Sequence, residues 1–218
     1  MGRSLKLPRL YPIIDAGMFV SEKDPVLALA RFAKELLAGG ATLIQYRNKL
    51  LQRDPGSQAA PMLSQARELR RVAAAATLIM NDRADLCLAA GFDGVHVGQD
   101  DLSPVGARTV VGKLRFLGVS THTPEQLAAA LSSPADVDYV AIGPAFATSS
   151  KEKPDAVVGL EGVRRARAAT GKPLVAIGGI TRANCRAVID AGADCVAVIR
   201  DLAAEPRAAT EEFLRILS

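Results

Sequence analysis

Eight short apolar runs, rich in valine and isoleucine, alternate with eight helical patterns along these 218 residues, and that alternation limits the fold more than any other feature of the chain. The runs are Leu10–Asp15, Ala41–Arg47, Thr77–Asp82, Gly94–Gly98, Arg115–Thr121, Tyr139–Phe146, Pro173–Gly179 and Cys195–Arg200. Continuous apolar runs of this length suit strands buried on both faces of a parallel sheet. Between them, helical spacing predicts helices over Pro25–Ala38, Gln58–Ala75, Ala84–Ala90, Pro104–Val111, Pro124–Leu131, Leu160–Thr170, Arg182–Ala191 and Arg207–Leu217. Strict alternation demands a parallel sheet, and eight units in a chain of this length favour closure into a single (β/α)8 TIM barrel over an open doubly wound sheet. No GxGxxG follows an early strand, which argues against a dinucleotide-binding sheet. No composition break or linker divides the chain, so residues 1–218 are expected to form one domain.

Local signals agree with this division. Thr123 and Ser103 stand before Pro124 and Pro104, and Thr181 before Arg182, each an N-cap hydroxyl, followed in the first two cases by proline at the first helical position. Ala38-Gly39-Gly40, Ala90-Gly91, Thr170-Gly171 and Ala191-Gly192 place glycine where a left-handed helix cap is wanted.

Composition narrows the partners. A net charge of +4 is mild and its basic residues are interspersed with acidic ones, so nucleic acid is not implied, while a small anionic substrate would be welcome. No apolar run is long enough to span a bilayer, no h-region follows Met1-Gly2-Arg3-Ser4-Leu5-Lys6, and the expected compartment is the cytoplasm. Cys87, Cys185 and Cys195 lack metal-type spacing and fall within apolar segments, as small core hydrophobes do. Alanine-rich helix faces would allow a homo-oligomer, but no helix declares itself an interface.

In a closed barrel the C-terminal ends of all the strands converge on one mouth, so residues there act together whatever their sequence separation. Strand two ends in Gln45-Tyr46-Arg47-Asn48-Lys49, strand three in Asn81-Asp82-Arg83, strand four in Gln99-Asp100-Asp101 and strand five in Ser120-Thr121-His122. Strand six runs into Thr148-Ser149-Ser150-Lys151. Asp82 and Asp101 each follow directly on an apolar run and suggest a Mg²⁺ site, although Asp82 also stands where it could cap the next helix. Arg47, Lys49 and Lys151 would add three cations, a set suited to a metal-bound pyrophosphate, and each taken singly also fits a solvated surface charge. Gly178-Gly179, between strand seven and a helix, would let backbone N–H groups approach a phosphate, or merely make a tight turn. His122 at a loop invites acid/base work more than His96, which sits in mid-strand. No order of serine, histidine and aspartate, and no activated cysteine, points to covalent catalysis.

Four blocks, Gly40 to Lys49, Ile79 to Asp85, Asp93 to Asp101 and Ala176 to Thr181, together resemble the thiamine-phosphate synthase family in the family's order, and the similarity runs from about Tyr11 to about Ala203. The resemblance implies a Mg²⁺-dependent condensation of hydroxymethylpyrimidine pyrophosphate with a thiazole phosphate, 4-methyl-5-(2-phosphoethyl)thiazole or its carboxylated form, to thiamine phosphate and pyrophosphate. It also implies a step in which the pyrimidinyl-methyl group becomes cation-like. By resemblance Asp82 and Asp101 match metal-binding aspartates. Gln45, Arg47, Lys49, Asn81, Ser120 and Lys151 match residues that hold the pyrimidine pyrophosphate, with Arg47, Lys151 and Ser120 expected to act in catalysis. Thr148 to Ser150 and Gly179, with Gly178, match the surroundings of the thiazole phosphate. Ser150 replaces the family's second threonine in Thr-x-Thr-Lys. Ile199 and Arg200 complete the expected substrate-binding set, with the guanidinium of Arg200 where the family commonly has a small hydroxyl residue; it could bind the phosphate, pair with Asp201 or fill part of the pocket. A related thiazole tautomerase, which His122 would suit, and a phosphate-binding barrel without turnover are the competing readings. The loop Leu50–Ala60 is a candidate lid.

Overall fold

The computed structural model describes residues 7–49, 55–148 and 155–218. Eight parallel strands, β1 (Leu10–Asp15), β2 (Leu43–Arg47), β3 (Thr77–Asn81), β4 (Gly94–Val97), β5 (Phe116–Thr121), β6 (Tyr139–Ile142), β7 (Leu174–Ile177) and β8 (Cys195–Val198), pair in sequence order and close through a β8–β1 ladder. The helices are α1 (Pro25–Ala38), α2 (Pro55–Val72), α3 (Ala84–Ala89), α4 (Pro104–Val111), α5 (Pro124–Leu131), α6 (Gly159–Ala169), α7 (Cys185–Asp190) and α8 (Pro206–Leu217). The protein is a (β/α)8 TIM barrel, as the alternation predicts.

Side chains alternate across each strand, so closure makes two cores. Tyr11, Ile13, Leu43, Ile79, Phe116, Tyr139, Val175 and Cys195 point inward and fill the barrel. Leu10, Ile14, Ile44, Leu78, Val95, Leu117, Val140 and Leu174 point outward and pack under the helices. Both sets are buried, which is why the strands appear in the sequence as continuous apolar runs and not as alternating ones.

Ser103 and Thr123 cap α4 and α5 as expected, accepting the N–H of Gly106 at 3.2 Å and of Gln126 at 3.3 Å. Thr181 does not cap: α7 starts later, and Asn184 Oδ1 instead accepts the Thr181 N–H at 2.8 Å in a turn before the helix. Gly40, Gly91 and Gly192 take positive φ, whereas Gly171 does not. β6 ends at Ile142, four residues earlier than the apolar run suggests, because Pro144 has no N–H to continue the ladder. The chain nevertheless stays beside β7, with Ala145 N–H donating to the Ile177 carbonyl at 2.8 Å and Phe146 N–H to that of Gly178 at 3.0 Å. In the candidate lid, residues 50–54 lie outside the described residues and Pro55 already opens α2.

The end of the barrel opposite the mouth is held by a threefold device. Asp93, Asp138 and Asp194 immediately precede β4, β6 and β8. Each carboxylate accepts the N–H of a residue in the preceding strand, Leu78, Leu117 and Leu174, at 2.9, 2.7 and 2.8 Å. Each also pairs with an arginine of the preceding even-numbered helix: Arg70 at 2.9 Å, Arg108 at 2.7 Å and Arg167 at 2.8 Å. The arginines spend their other N–H groups on carbonyls, as Arg108 does on Gly112, Arg115, Ala135 and Asp136. Helix end and strand start, both with unpaired backbone groups, are thus satisfied by one ion pair. Before β2 the matching place in Gly40-Ala41-Thr42 carries threonine.

Asp138→Ala would strand the Leu117 N–H and the Arg108 guanidinium together. The expected loss is about 3 kcal/mol of folding free energy, read as a lower urea midpoint, with turnover per folded molecule retained because the clamp lies at the far end from the mouth.

Candidate active site

The strand ends surround one cavity of about 1320 Å³, and every described residue of the expected site lines it: Gln45, Arg47, Lys49, Asn81, Asp82, Asp101, Ser120, Thr148, Gly178, Gly179, Ile199 and Arg200. Ser150 and Lys151, also expected there, lie outside the described residues.

Asp82 follows the last residue of β3 with φ 62°, a left-handed conformation that aspartate tolerates better than most side chains, while its N–H donates to the His96 carbonyl at 2.8 Å. Asp82 is not the N-cap of α3: that position is Arg83, whose side chain makes no cap hydrogen bond. The Asp82 carboxylate turns into the mouth, where Lys49 Nζ lies 2.5 Å from Asp82 Oδ2 and 3.7 Å from Asp101 Oδ1. Burial pushes the Asp82 carboxyl up to about 6, its hydrogen bond with Asp101 adds to the rise, and Lys49 opposes it. Burial also works against ionised Asp101, but the Asp82 hydrogen bond, the Gly98 N–H at 2.9 Å and Lys49 outweigh it and hold that carboxyl below its ordinary value. Two carboxylates in mutual contact with one ammonium beside them form a hard-oxygen site that calls for positive charge.

Arg47 ends β2 directly across from Asp15, the end of β1, and its Nη1 is hydrogen-bonded to Asp15 Oδ2. Asp15 also accepts the Gly17 N–H at 3.0 Å, which fixes the carboxylate from the other side. One residue further, buried Asn48 donates to Tyr46 OH at 3.2 Å and to Gln65 Oε1 at 3.1 Å, tying the exit of β2 to α2.

At the opposite rim Gly178 and Gly179 take φ values of 97° and 63°. A Cβ on Gly178 would come within 2.5 Å of Pro144, and one on Gly179 within 2.5 Å of the Ala147 carbonyl oxygen, so only glycine lets the segment leading to Thr148 lie against this corner. Asn184 Nδ2 holds the Gly179 carbonyl at 3.1 Å. β8 stops at Val198, and exposed Arg200 opens a short 3₁₀ turn, Arg200–Leu202. The Asp201 carboxylate is engaged by Arg182, through its N–H at 2.7 Å and its Nε at 3.1 Å, and Glu212 takes the Arg182 Nη1 at 2.7 Å. His122 Nδ1 lies 2.6 Å from the Gly143 carbonyl oxygen, and its Nε2 lies 3.5 Å from Asp155 Oδ2.

Beneath the mouth the expected Gln45 and Ser120 are joined through three polar groups that sequence reasoning did not place in the site, Tyr11, Tyr139 and His96. Gln45 Nε2 donates to Tyr11 OH at 3.0 Å, Tyr11 OH meets Tyr139 OH at 3.1 Å, Tyr139 OH meets His96 Nδ1 at 3.0 Å, and His96 Nε2 meets Ser120 Oγ at 2.8 Å. The His96 ring stacks on Tyr139 with centroids 5.5 Å apart. Asp15 and Gln99, whose Nε2 donates to the Ser120 carbonyl at 2.6 Å, were missed as well. A charged residue ending the first apolar run was the available signal for Asp15; Tyr11 and Tyr139 carried none that separates them from core aromatics.

Residues 10–202 match the family described as thiamine monophosphate synthase. The chain is 63% identical to the thiamine-phosphate synthase of Koribacter versatilis (strain Ellin345), over 100% of this chain and 99% of that one. It is 40% identical to the thiamine-phosphate synthase of Chloroflexus aurantiacus (strain ATCC 29366 / DSM 635 / J-10-fl), over 96% of this chain and 92% of that one. Among solved structures, the thiamine phosphate pyrophosphorylase from Pyrococcus furiosus superposes with a TM-score of 0.80 at 30% identity, covering 96% of this chain and 95% of that one.

A Cβ on Gly118 would lie 2.1 Å from Tyr139 Cζ and 2.5 Å from His96 Nδ1. Gly118→Ala should therefore displace both rings and cost roughly 1–3 kcal/mol, seen as a lower thermal midpoint. A midpoint equal to that of the unsubstituted protein would show that the floor tolerates the extra carbon.

Proposed function

Because the chain belongs to the thiamine monophosphate synthase family, we propose that its mouth joins hydroxymethylpyrimidine pyrophosphate to a thiazole phosphate, releasing pyrophosphate and forming thiamine phosphate, with residues 1–218 acting as one catalytic domain in the cytoplasm. The observation that carries this reading is the coexistence, in one cavity, of the Lys49–Asp82–Asp101 cluster, the Arg47 guanidinium and the Gly178-Gly179 corner.

The leaving pyrophosphate gains negative charge as its C–O bond breaks, so fixed cations stabilise the transition state more than the ground state. Arg47, held by Asp15, and Lys49 meet that charge at the β2 rim; Lys151 is assigned to the same work. Asp82 and Asp101 would hold Mg²⁺, which when bound neutralises pyrophosphate charge. The donor set fits: both ligands are carboxylates, and Mg²⁺ commonly takes one or two of these together with phosphate oxygens and water. Ser120, Gln45 and Asn81 orient the pyrimidine so that its methylene faces the thiazole nitrogen. The Gly178-Gly179 corner, with Thr148, Ser150, Ile199 and Arg200, holds the thiazole phosphate in line for attack. The aminopyrimidine delocalises the developing positive charge, so the step calls for no protein nucleophile.

The test is turnover of purified protein with both substrates, with and without Mg²⁺, following thiamine phosphate and pyrophosphate together. Both products should appear only with Mg²⁺, and Asp82→Ala should lower turnover by about 10²-fold or more. Binding of the thiazole phosphate without product would favour the tautomerase or a barrel without turnover. Asp15→Ala, which releases Arg47 without deleting it, should raise KM for the pyrimidine pyrophosphate about tenfold and leave KM for the thiazole phosphate unchanged.

A further inference from the structure

Four buried groups under the mouth and half-buried Ser120 come from five different strands: Gln45 from β2, Tyr11 from β1, Tyr139 from β6, His96 from β4 and Ser120 from β5. They make four consecutive contacts of 2.8 to 3.1 Å. Four of them have no independent choice of role. A phenol or serine hydroxyl has one hydrogen to give, and a neutral imidazole donates from one nitrogen and accepts at the other. Once one end is fixed, the rest follow.

The fixed end is Gln45. Its amide nitrogen only donates, so Tyr11 OH accepts there, and Tyr139 OH is the partner that remains among the described residues to take the Tyr11 hydrogen, which would otherwise be buried unpaired. Tyr139 then gives its hydrogen to His96 Nδ1, which leaves the His96 proton on Nε2, directed at Ser120 Oγ. Ser120 accepts from the ring and keeps its own hydroxyl hydrogen for the cavity it lines. At the other end, the Gln45 amide oxygen takes no hydrogen bond among the described residues, and Gln45 lines the same cavity. The geometry points to a single directional chain, Gln45 to Tyr11 to Tyr139 to His96 to Ser120, which presents an acceptor at Gln45 and a donor at Ser120. Tyr11, Tyr139 and His96 are its positioning residues.

The inference rests on the proposed function for its ligand: an aminopyrimidine offers an exocyclic N–H donor beside a ring nitrogen acceptor, the complement of that pair. A pyrimidine carrying a carbonyl in place of the amine would meet an acceptor with an acceptor, so the chain also sets specificity. Reversal of the chain would spend the Ser120 hydrogen on His96 and turn the pattern over, and this requires all five groups to change together. The absence of a side chain at Gly118 is what lets Tyr139 and His96 stack at the centre of the chain.

The protein has two histidines, so the tautomer can be read by ¹⁵N NMR of the intact, ligand-free chain. His122 must carry a proton on Nδ1, because the Gly143 carbonyl can only accept, and a His122→Asn variant assigns the two sets of signals. His96 is expected to be neutral with its proton on Nε2. A proton on its Nδ1, with Nε2 bare, would overturn the chain. In kinetics, Tyr139→Phe should lower kcat/KM for the pyrimidine pyrophosphate about tenfold with KM for the thiazole phosphate unchanged. His96→Gln, which can place an amide N–H near the Nε2 position, should recover activity that His96→Leu does not. Equal activity of the Gln and Leu variants, or kcat/KM within about twofold of the unsubstituted protein for Tyr139→Phe, would also overturn it. An Nε2 proton on His96 without synthase turnover would sink the proposed function and leave the chain standing; turnover with an Nδ1 proton would do the reverse.

Discussion

Closure of the parallel sheet is the constraint on which the rest depends. A parallel strand has distinct ends, so once β8 pairs with β1 all eight C-terminal ends share one rim and all eight N-terminal ends the other. The two rims then carry different burdens. The N-terminal rim is crosslinked by Asp93, Asp138 and Asp194, whose carboxylates satisfy strand N–H groups and arginine side chains at once. The C-terminal rim keeps its polar side chains facing the cavity. The Arg–Asp clamps recur at every second strand from β4 on, so the stabilising device repeats while the opposite rim differs at every strand.

The interior changes character along the barrel axis. Leu43, Ile79, Phe116, Val175 and Cys195 make it apolar, while Gln45, His96 and the two tyrosine hydroxyls introduce buried polar atoms at the floor of the cavity. Such atoms cost free energy unless each finds a partner, and here the partners are one another. Burial raises the Tyr11 and Tyr139 hydroxyls above their ordinary pKa, which keeps both neutral and able to donate. The polar layer is therefore both floor and support for the mouth, and it is rigid because none of its members can turn without breaking a neighbour's bond.

Much of this was legible in the sequence. Eight strands, the convergence of their ends and the pairing of Asp82 with Asp101 followed from apolar runs that stop at polar residues. Legibility failed where the outcome depended on register or on which side of the sheet a residue faces. Asp15 and Arg47 are 32 positions apart, and only the β1–β2 register sets them opposite. His96 lies between Val95 and Val97 in a strand buried on both faces, so apolar neighbours could not tell barrel interior from helix layer. Thr181 looked like a cap because the turn preceding α7 has helix-compatible residues; Asn184 Oδ1 took the Thr181 N–H and moved the start to Cys185.

Three cations at or beside the mouth are matched by carboxylates of the same chain: Arg47 by Asp15, Lys49 by Asp82 and Asp101, Arg182 by Asp201 and Glu212. An internal anion does not displace an anionic ligand from Arg47, because a guanidinium has donors to spare. Asp15 occupies only Nη1 of Arg47, and the remaining N–H groups of the planar fork stay on a side chain whose direction is already set. Holding the fork in advance removes rotamer entropy that would otherwise be lost on binding. Lys49 is different in kind: a point charge between two carboxylates can be shared or displaced when another cation arrives with the ligand. The β2 rim thus combines one cation fixed in direction with one free to adjust, an arrangement suited to a pyrophosphate that enters with a metal ion and leaves with more negative charge than it brought.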